Sequence, residues 1–212
     1  GDHRDLHSFP TRRASDLKSD SATTWCPRCE TGLSQHEQAD GYQVIKDISV
    51  YVLFKLKGRE NEYVLAWTTT PWTLSANVLL AVNPTLEYVK AEIGGKVVYL
   101  GKDSSKRLNI QNVKDINIKE LVGLEYESLY DIDAQKGVKH SIVEWDLVDA
   151  TSGSGVVHIA PGCGQEDFEL GKELDADVLA PLDSTGRFLE GYGFLTGKYA
   201  HDVAKEVIDD LE

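Results

Sequence analysis

The sequence has no apolar run of the roughly 18 residues that a membrane-spanning helix needs, and no signal-peptide pattern opens it. Basic side chains are also scarce, because 22 Lys and Arg stand against 35 Asp and Glu, for a formal net charge of −13. Affinity for a phosphate backbone normally needs clustered cations, so this shortage argues against a stand-alone nucleic-acid binder. We expect a soluble globular chain, with no membrane partner, whose 212 residues can bury one sizeable core.

Cysteine is scarce too, with three residues in all, which favours a reducing, cytoplasmic location over a disulfide framework. Cys26 and Cys29 form a Cys-x-x-Cys pair in the segment WCPRC. Such a pair supplies two of the four ligands of a structural zinc site, and no second pair is present. We therefore expect half of a zinc site. A redox role is disfavoured, because no strand-to-helix context surrounds the pair.

The chain divides into three parts by pattern. Residues 1–20 lack strand or helix periodicity and predict a leader that is either non-native or disordered. Residues 21–42 read as a linker that carries the half zinc knuckle, and residues 43–212 as the main domain. An uncapped amphipathic pattern runs to the final residue, which predicts that this domain is truncated at its C-terminal end.

Strand patterns dominate the main domain. We predict strands over residues 48–56, 62–67, 86–93, 96–100, 143–145 and 155–160, with turns at residues 57–61 and 94–95. Helical periodicity is confined to residues 165–174 and 201–212. The predicted fold is therefore α+β and strand-rich, a β-barrel-like domain with a few short peripheral helices.

The segment WTTTPWTL, residues 67–74, places three threonines between an apolar run and a proline. Alternation along a strand sends Thr68 and Thr70 to one face and Thr69 to the other. Proline then ends regular pairing, which leaves a rim of hydroxyls suited to a small polar ligand. A half-exposed strand end is the alternative for a threonine triplet taken alone.

The segment GSGVVHIAPGCGQEDF, residues 153–168, combines four glycines with His158 and Asp167. The predicted strand bears His158, and Asp167 falls in the first turn of the predicted helix, where the helix dipole favours an ionised carboxylate. Cys163 beside His158 also suggests a thiol hydrolase, but no orienting third group is near in sequence. A carboxylate and an imidazole so placed are suited to gripping an ammonium group.

Together the two segments resemble the editing domain of isoleucyl-tRNA synthetase, over about residues 21–212, and the WCPRC segment resembles the linker that leads into it. The resemblance implies removal of valine from Val-tRNA(Ile) and of valyl-adenylate, without a cofactor. It implies as partners the 3′ end of isoleucine tRNA and the rest of the synthetase chain, in a monomeric protein. Zinc would need a second cysteine pair outside this chain.

Site roles follow from the resemblance, position by position. Thr68, Thr70 and Asp167 would be catalytic: the threonines would hold the terminal adenosine and orient water, and Asp167 would bind the α-ammonium. His158 would limit the size of the amino-acid side chain. The remaining substrate-binding positions are Asn77, Thr69 and Trp67.

The sequence departs from the family pattern at Ser75, where a proline is common, and at Cys163, and it lacks the ATP-binding signatures of the synthetic site. Two alternatives remain open. One is a valyl-type editing domain that removes threonine, and the other is an inactive binding or zinc-knuckle module.

Overall fold

The computed structural model describes residues 21–41, 43–44 and 48–211, so the predicted leader lies outside the described residues. The strands are β1 Trp25–Cys26, β2 Thr31–Gly32, β3 Val50–Lys55, β4 Glu62–Thr68, β5 Leu79–Val82, β6 Tyr88–Ile93, β7 Lys96–Gly101, β8 Lys114–Ile116, β9 Ser141–Glu144 and β10 Val156–Ile159. The α-helices are α1 Gln35–Asp40, α2 Lys102–Arg107, α3 Gln165–Glu173 and α4 Ala204–Leu211. Short 3₁₀ helices span Pro71–Ala76, Ile118–Glu120, Asp133–Gln135, Gly193–Leu195 and Ala200–Asp202. None of the described helices is long and apolar enough to span a membrane.

Strands β3 to β10 form one mixed sheet that curls into a half-barrel. Strand β4 is its centre: β3 pairs antiparallel along one edge, while β7 and β10 run parallel along the other. Strand β5 then pairs antiparallel with β10, and β9 parallel with β5. This arrangement confirms the strand-rich α+β fold that the sequence predicts, with short helices at its periphery.

The two faces of β10 pack against different hydrophobic clusters. Val156 belongs to the largest cluster, together with Leu80 and Val82 of β5. Ile159 belongs to a second cluster with Leu170 of α3. Because full burial of such a side chain contributes about 1.5–3 kcal/mol, both clusters hold β10 firmly in the sheet.

The hairpin turn at Gly94 is confirmed, with a left-handed φ of 58° at that glycine, and so is α3. Residues 102–107 form the short helix α2. The last helix begins at Ala204, three residues later than predicted, after a 3₁₀ turn over Ala200–Asp202.

Candidate active site

The candidate site lies where β4 and β10 reach their carboxyl ends. These strands are parallel neighbours with Trp67 opposite Val157, so Thr68 and His158, one residue further on, share the other face of the sheet. Pro71 begins a 3₁₀ helix directly beyond β4, because proline lacks the N–H of a strand ladder but suits a first helical turn.

Three threonine hydroxyls form a chain of contacts at this edge. The Thr68 Oγ1 accepts a hydrogen bond from the Thr70 N–H at 3.1 Å and lies 3.3 Å from the Thr70 Oγ1. The Thr70 Oγ1 in turn lies 3.4 Å from the Thr73 Oγ1. Thr68 is buried, whereas Thr69 and Thr70 are exposed. The rim therefore opens to solvent at Thr70.

His158 closes the inner side of the rim. Its side chain is 7% exposed, and its Nε2 lies 2.9 Å from the Thr73 Oγ1. Burial lowers the pKa of His158 to about 4, so the ring is neutral at neutral pH. Thr73 had no role in the sequence-based prediction, and no local pattern pointed to it.

Asp167 stands at the third position of α3 and is half-buried. Its Oδ2 accepts a hydrogen bond from the Ala160 N–H at 2.8 Å, which ties the first turn of the helix to the end of β10. Burial raises the pKa of Asp167, against the effect of the Ala160 N–H. This direction is opposite to the one expected from the helix start alone. Among the described residues no Lys or Arg forms an ion pair with Asp167.

A tight turn between β10 and α3 fixes the position of Asp167. A Cβ at Gly162 would lie 1.8 Å from the Leu179 carbonyl oxygen, so only glycine fits there. On the other side of the sheet, a Cβ at Gly153 would lie 2.7 Å from the Trp67 ring.

Asn77 and Trp67 are placed differently from the other predicted site residues. The Asn77 side chain is 3% exposed; its Oδ1 accepts from the Tyr126 hydroxyl at 2.8 Å, and its Nδ2 donates to the Leu79 carbonyl at 2.9 Å. Both amide atoms are used inside the fold, so Asn77 braces the chain beyond the rim instead of reaching its open side. Trp67 packs on Gly153, on the face opposite Thr68 and His158.

An open cleft of about 600 Å³ adjoins the site. Its wall comprises Ser21, Ala22, Thr23, Thr24, Trp25, Trp72, Pro161, Gly162, Cys163, Gly164, Gln165, Phe168, Val178, Ala180, Pro181 and Leu182. Trp72 and Gly164 connect it to the threonine rim and to the start of α3. Burial raises the pKa of the Cys163 thiol, which disfavours a thiolate nucleophile there.

The cysteine pair lies at the surface of the domain: Cys26 ends β1, and Cys29 stands in the turn that leads to β2. The Cys29 N–H lowers the pKa of Cys26, and the contact with Cys26 raises the pKa of Cys29. No third metal-ligating side chain joins them among the described residues. The Trp25 Nε1 donates to the Ser184 carbonyl at 2.8 Å, which holds the turn against the main domain.

Comparison with known proteins points to one family. The chain is 38% identical over 198 residues to the isoleucine–tRNA ligase of Clostridium novyi and 39% identical over 198 residues to that of Picrophilus torridus. Each match covers 92% of this chain and 19% of the ligase, so the chain spans about a fifth of the length of these relatives. The solved structure of the GlLeuRS-CP1 domain superposes with a TM-score of 0.60 at 12% identity, over 76% of this chain and 94% of that one. No protein-family model matches.

Proposed function

We propose that this chain hydrolyses Val-tRNA(Ile) and valyl-adenylate. The chain belongs to the isoleucine–tRNA ligase family, and it has the fold of a synthetase editing domain. The observation that carries the proposal is the convergence of Thr68, Thr70, His158 and Asp167 at the carboxyl ends of two parallel strands. The comparisons give the family and the fold, and the editing role and its substrate are our inference from them.

Asp167 supplies the charge of the proposed site. A half-buried carboxylate that has no cation partner in the described part of the chain is suited to the α-ammonium of an aminoacyl ester. Binding of that ammonium would lower the pKa of Asp167 again and offset the cost of its burial.

Thr68 and Thr70 supply the geometry. Their hydroxyls lie 3.3 Å apart at the open rim, where they would hold the terminal ribose and orient a water molecule. The water attacks the ester carbonyl carbon, the bond from that carbon to the ribose oxygen breaks, and the oxygen takes up a proton. Free valine and an uncharged tRNA result. Catalysis on these terms depends on positioning, with Thr69, Asn77 and Trp67 supporting the strand and turn.

His158 supplies the size limit, because its buried ring stands on the same face as Thr68. A second pocket is needed because one methylene group changes the binding free energy in a hydrophobic pocket by only about 1–3 kcal/mol. Isoleucine–tRNA ligases are a known example of this general value. The synthetic site therefore admits some valine, and a smaller pocket removes it.

The partners belong to the same proposal. The rest of the ligase chain would supply the basic surface that holds isoleucine tRNA, because this chain carries a net charge of −13. Cys26 and Cys29 offer two thiolates of the soft type that zinc prefers, and a second pair elsewhere in the ligase would complete the site. The editing reaction itself uses no cofactor. We expect a monomer in the cytoplasm.

A deacylation assay with three substrates tests the proposal. The chain should hydrolyse Val-tRNA(Ile) faster than Ile-tRNA(Ile) and faster than Thr-tRNA(Val). Faster hydrolysis of Thr-tRNA(Val) would favour the valyl-type alternative. Hydrolysis of none of the three substrates above the uncatalysed rate would refute an editing role.

A further inference from the structure

The His158 ring makes one hydrogen bond to the residues that the structure describes, and the chemistry of that partner determines which ring nitrogen carries the proton. The Thr73 hydroxyl has a single hydrogen, and it is directed to the Thr70 carbonyl oxygen at 2.8 Å. The Thr73 Oγ1 can then only accept from the His158 Nε2, at 2.9 Å. Nε2 therefore carries the hydrogen.

The second ring nitrogen leads to the same assignment. The His158 Nδ1 is buried and has no hydrogen-bond partner among the described residues. A proton on Nδ1 would leave a buried donor without an acceptor, which is rarer in proteins than a buried acceptor without a donor. A bare Nδ1 avoids that cost.

We infer that Thr73 is a positioning residue, which fixes His158 as the Nε2–H tautomer and leaves Nδ1 as a bare, buried acceptor. The same hydrogen bond holds the His158 ring in one orientation on the face of the sheet that Thr68 shares. The tautomer assignment stands on geometry alone; its catalytic consequence rests on the proposed editing function.

His140 provides an internal contrast. It too is buried, but its Nδ1 lies 3.2 Å from the Val78 carbonyl oxygen, which can only accept. His140 is therefore the Nδ1–H tautomer, opposite to His158. Only the partner of His158 is a hydroxyl that a conservative substitution can remove.

Nitrogen-15 NMR of the imidazole rings tests the assignment in the wild-type chain. We expect a protonated Nε2 and a bare Nδ1 for His158, and the reverse for His140.

The Thr73→Val variant removes the hydroxyl at nearly constant volume and should change the spectrum of His158 alone, whereas Thr73→Ser should preserve it. Thr85→Val is the matched control, because it removes a threonine hydroxyl bond to Asn83, which is not part of the site. A protonated Nδ1 in wild-type His158, or an unchanged spectrum in Thr73→Val, would overturn the inference.

Deacylation kinetics test the consequence. Removing the orienting partner of a functional histidine typically costs about 10- to 100-fold at metal sites, and we expect a loss of that order in kcat for Val-tRNA(Ile) hydrolysis by Thr73→Val. Thr73→Ser should restore most of the rate. Equal rates in wild type and Thr73→Val would overturn the catalytic consequence. A wild-type chain that hydrolyses no aminoacyl-tRNA would refute the proposed function while the NMR assignment remains.

Discussion

Two titratable side chains with displaced pKa values, His158 and Asp167, lie near the carboxyl end of β10. Burial keeps His158 neutral by lowering its pKa to about 4, and burial also raises the pKa of Asp167. Within residues 21–41, 43–44 and 48–211, His158 is held by one hydrogen bond, to Thr73, and Asp167 by one, from the Ala160 N–H. The site therefore contains one unpaired carboxylate and one neutral imidazole, a combination suited to a cationic ligand.

The depressed pKa of His158 predicts how stability depends on pH. Between about pH 6.5 and 4 the unfolded chain binds a proton at this residue that the folded chain excludes. His158 should therefore reduce the free energy of unfolding as the pH falls through this window, by up to about 3 kcal/mol. Chemical denaturation of wild type and His158→Gln at several pH values measures the slope. A slope that is the same in both proteins would contradict the pKa assignment.

Sequence alternation predicted part of the residue-level picture. It paired Thr68 with Thr70, and their hydroxyls do lie 3.3 Å apart. It could not predict the contact of Thr73 with His158, because these residues are 85 positions apart and only the parallel pairing of β4 with β10 brings them together. The sequence could not predict that the Asn77 side chain points into the fold either, because its partner Tyr126 is 49 positions away.

At the level of elements, the site depends on two turns that follow parallel strands. One is the 3₁₀ helix Pro71–Ala76 after β4, and the other is the turn at Gly162 between β10 and α3. Proline and glycine made both turns visible in the sequence. Strand β5 was not visible, because all four residues over Leu79–Val82 are buried and show no alternation.

The turn at Gly162 gives a prediction at this level. Gly162→Ala places a Cβ 1.8 Å from the Leu179 carbonyl, so the backbone must shift and carry the start of α3 with it. We expect a destabilisation of about 1–3 kcal/mol from the steric clash, and a loss of deacylation from the displacement of Asp167. Gly32→Ala, whose nearest contact would be 3.6 Å, serves as the control. Thermal unfolding identical in the two variants would contradict the steric account.

At the level of the whole molecule, the net charge of this domain has the wrong sign for binding tRNA by itself, so a different surface would hold its substrate. With a net charge of −13, it repels a tRNA backbone at long range. Under the proposed function, the other four-fifths of an isoleucine–tRNA ligase would supply the attraction. The net negative charge of this domain is compatible with the proposed editing role if another part of the ligase binds the tRNA.

The salt dependence of the KM for Val-tRNA(Ile) tests whether the domain itself attracts tRNA. An ordinary nucleic-acid binder loses affinity steeply as salt rises, because bound cations are released from the phosphate backbone. For this chain, added salt should instead screen repulsion, so the KM for Val-tRNA(Ile) should stay constant or fall between about 50 and 200 mM salt. A steep rise in KM over that range would show that the domain holds tRNA through its own cations.

The most direct test of the central claim compares two neighbouring carboxylates. Glu166 is exposed and Asp167 half-buried, and both stand in the first turn of α3. In single-turnover hydrolysis of Val-tRNA(Ile), Asp167→Asn should be at least about thirtyfold slower than wild type, because it removes the half-buried charge that binds the ammonium. Glu166→Gln should keep the wild-type rate. Wild-type activity in Asp167→Asn would contradict the assignment of this site as the editing site.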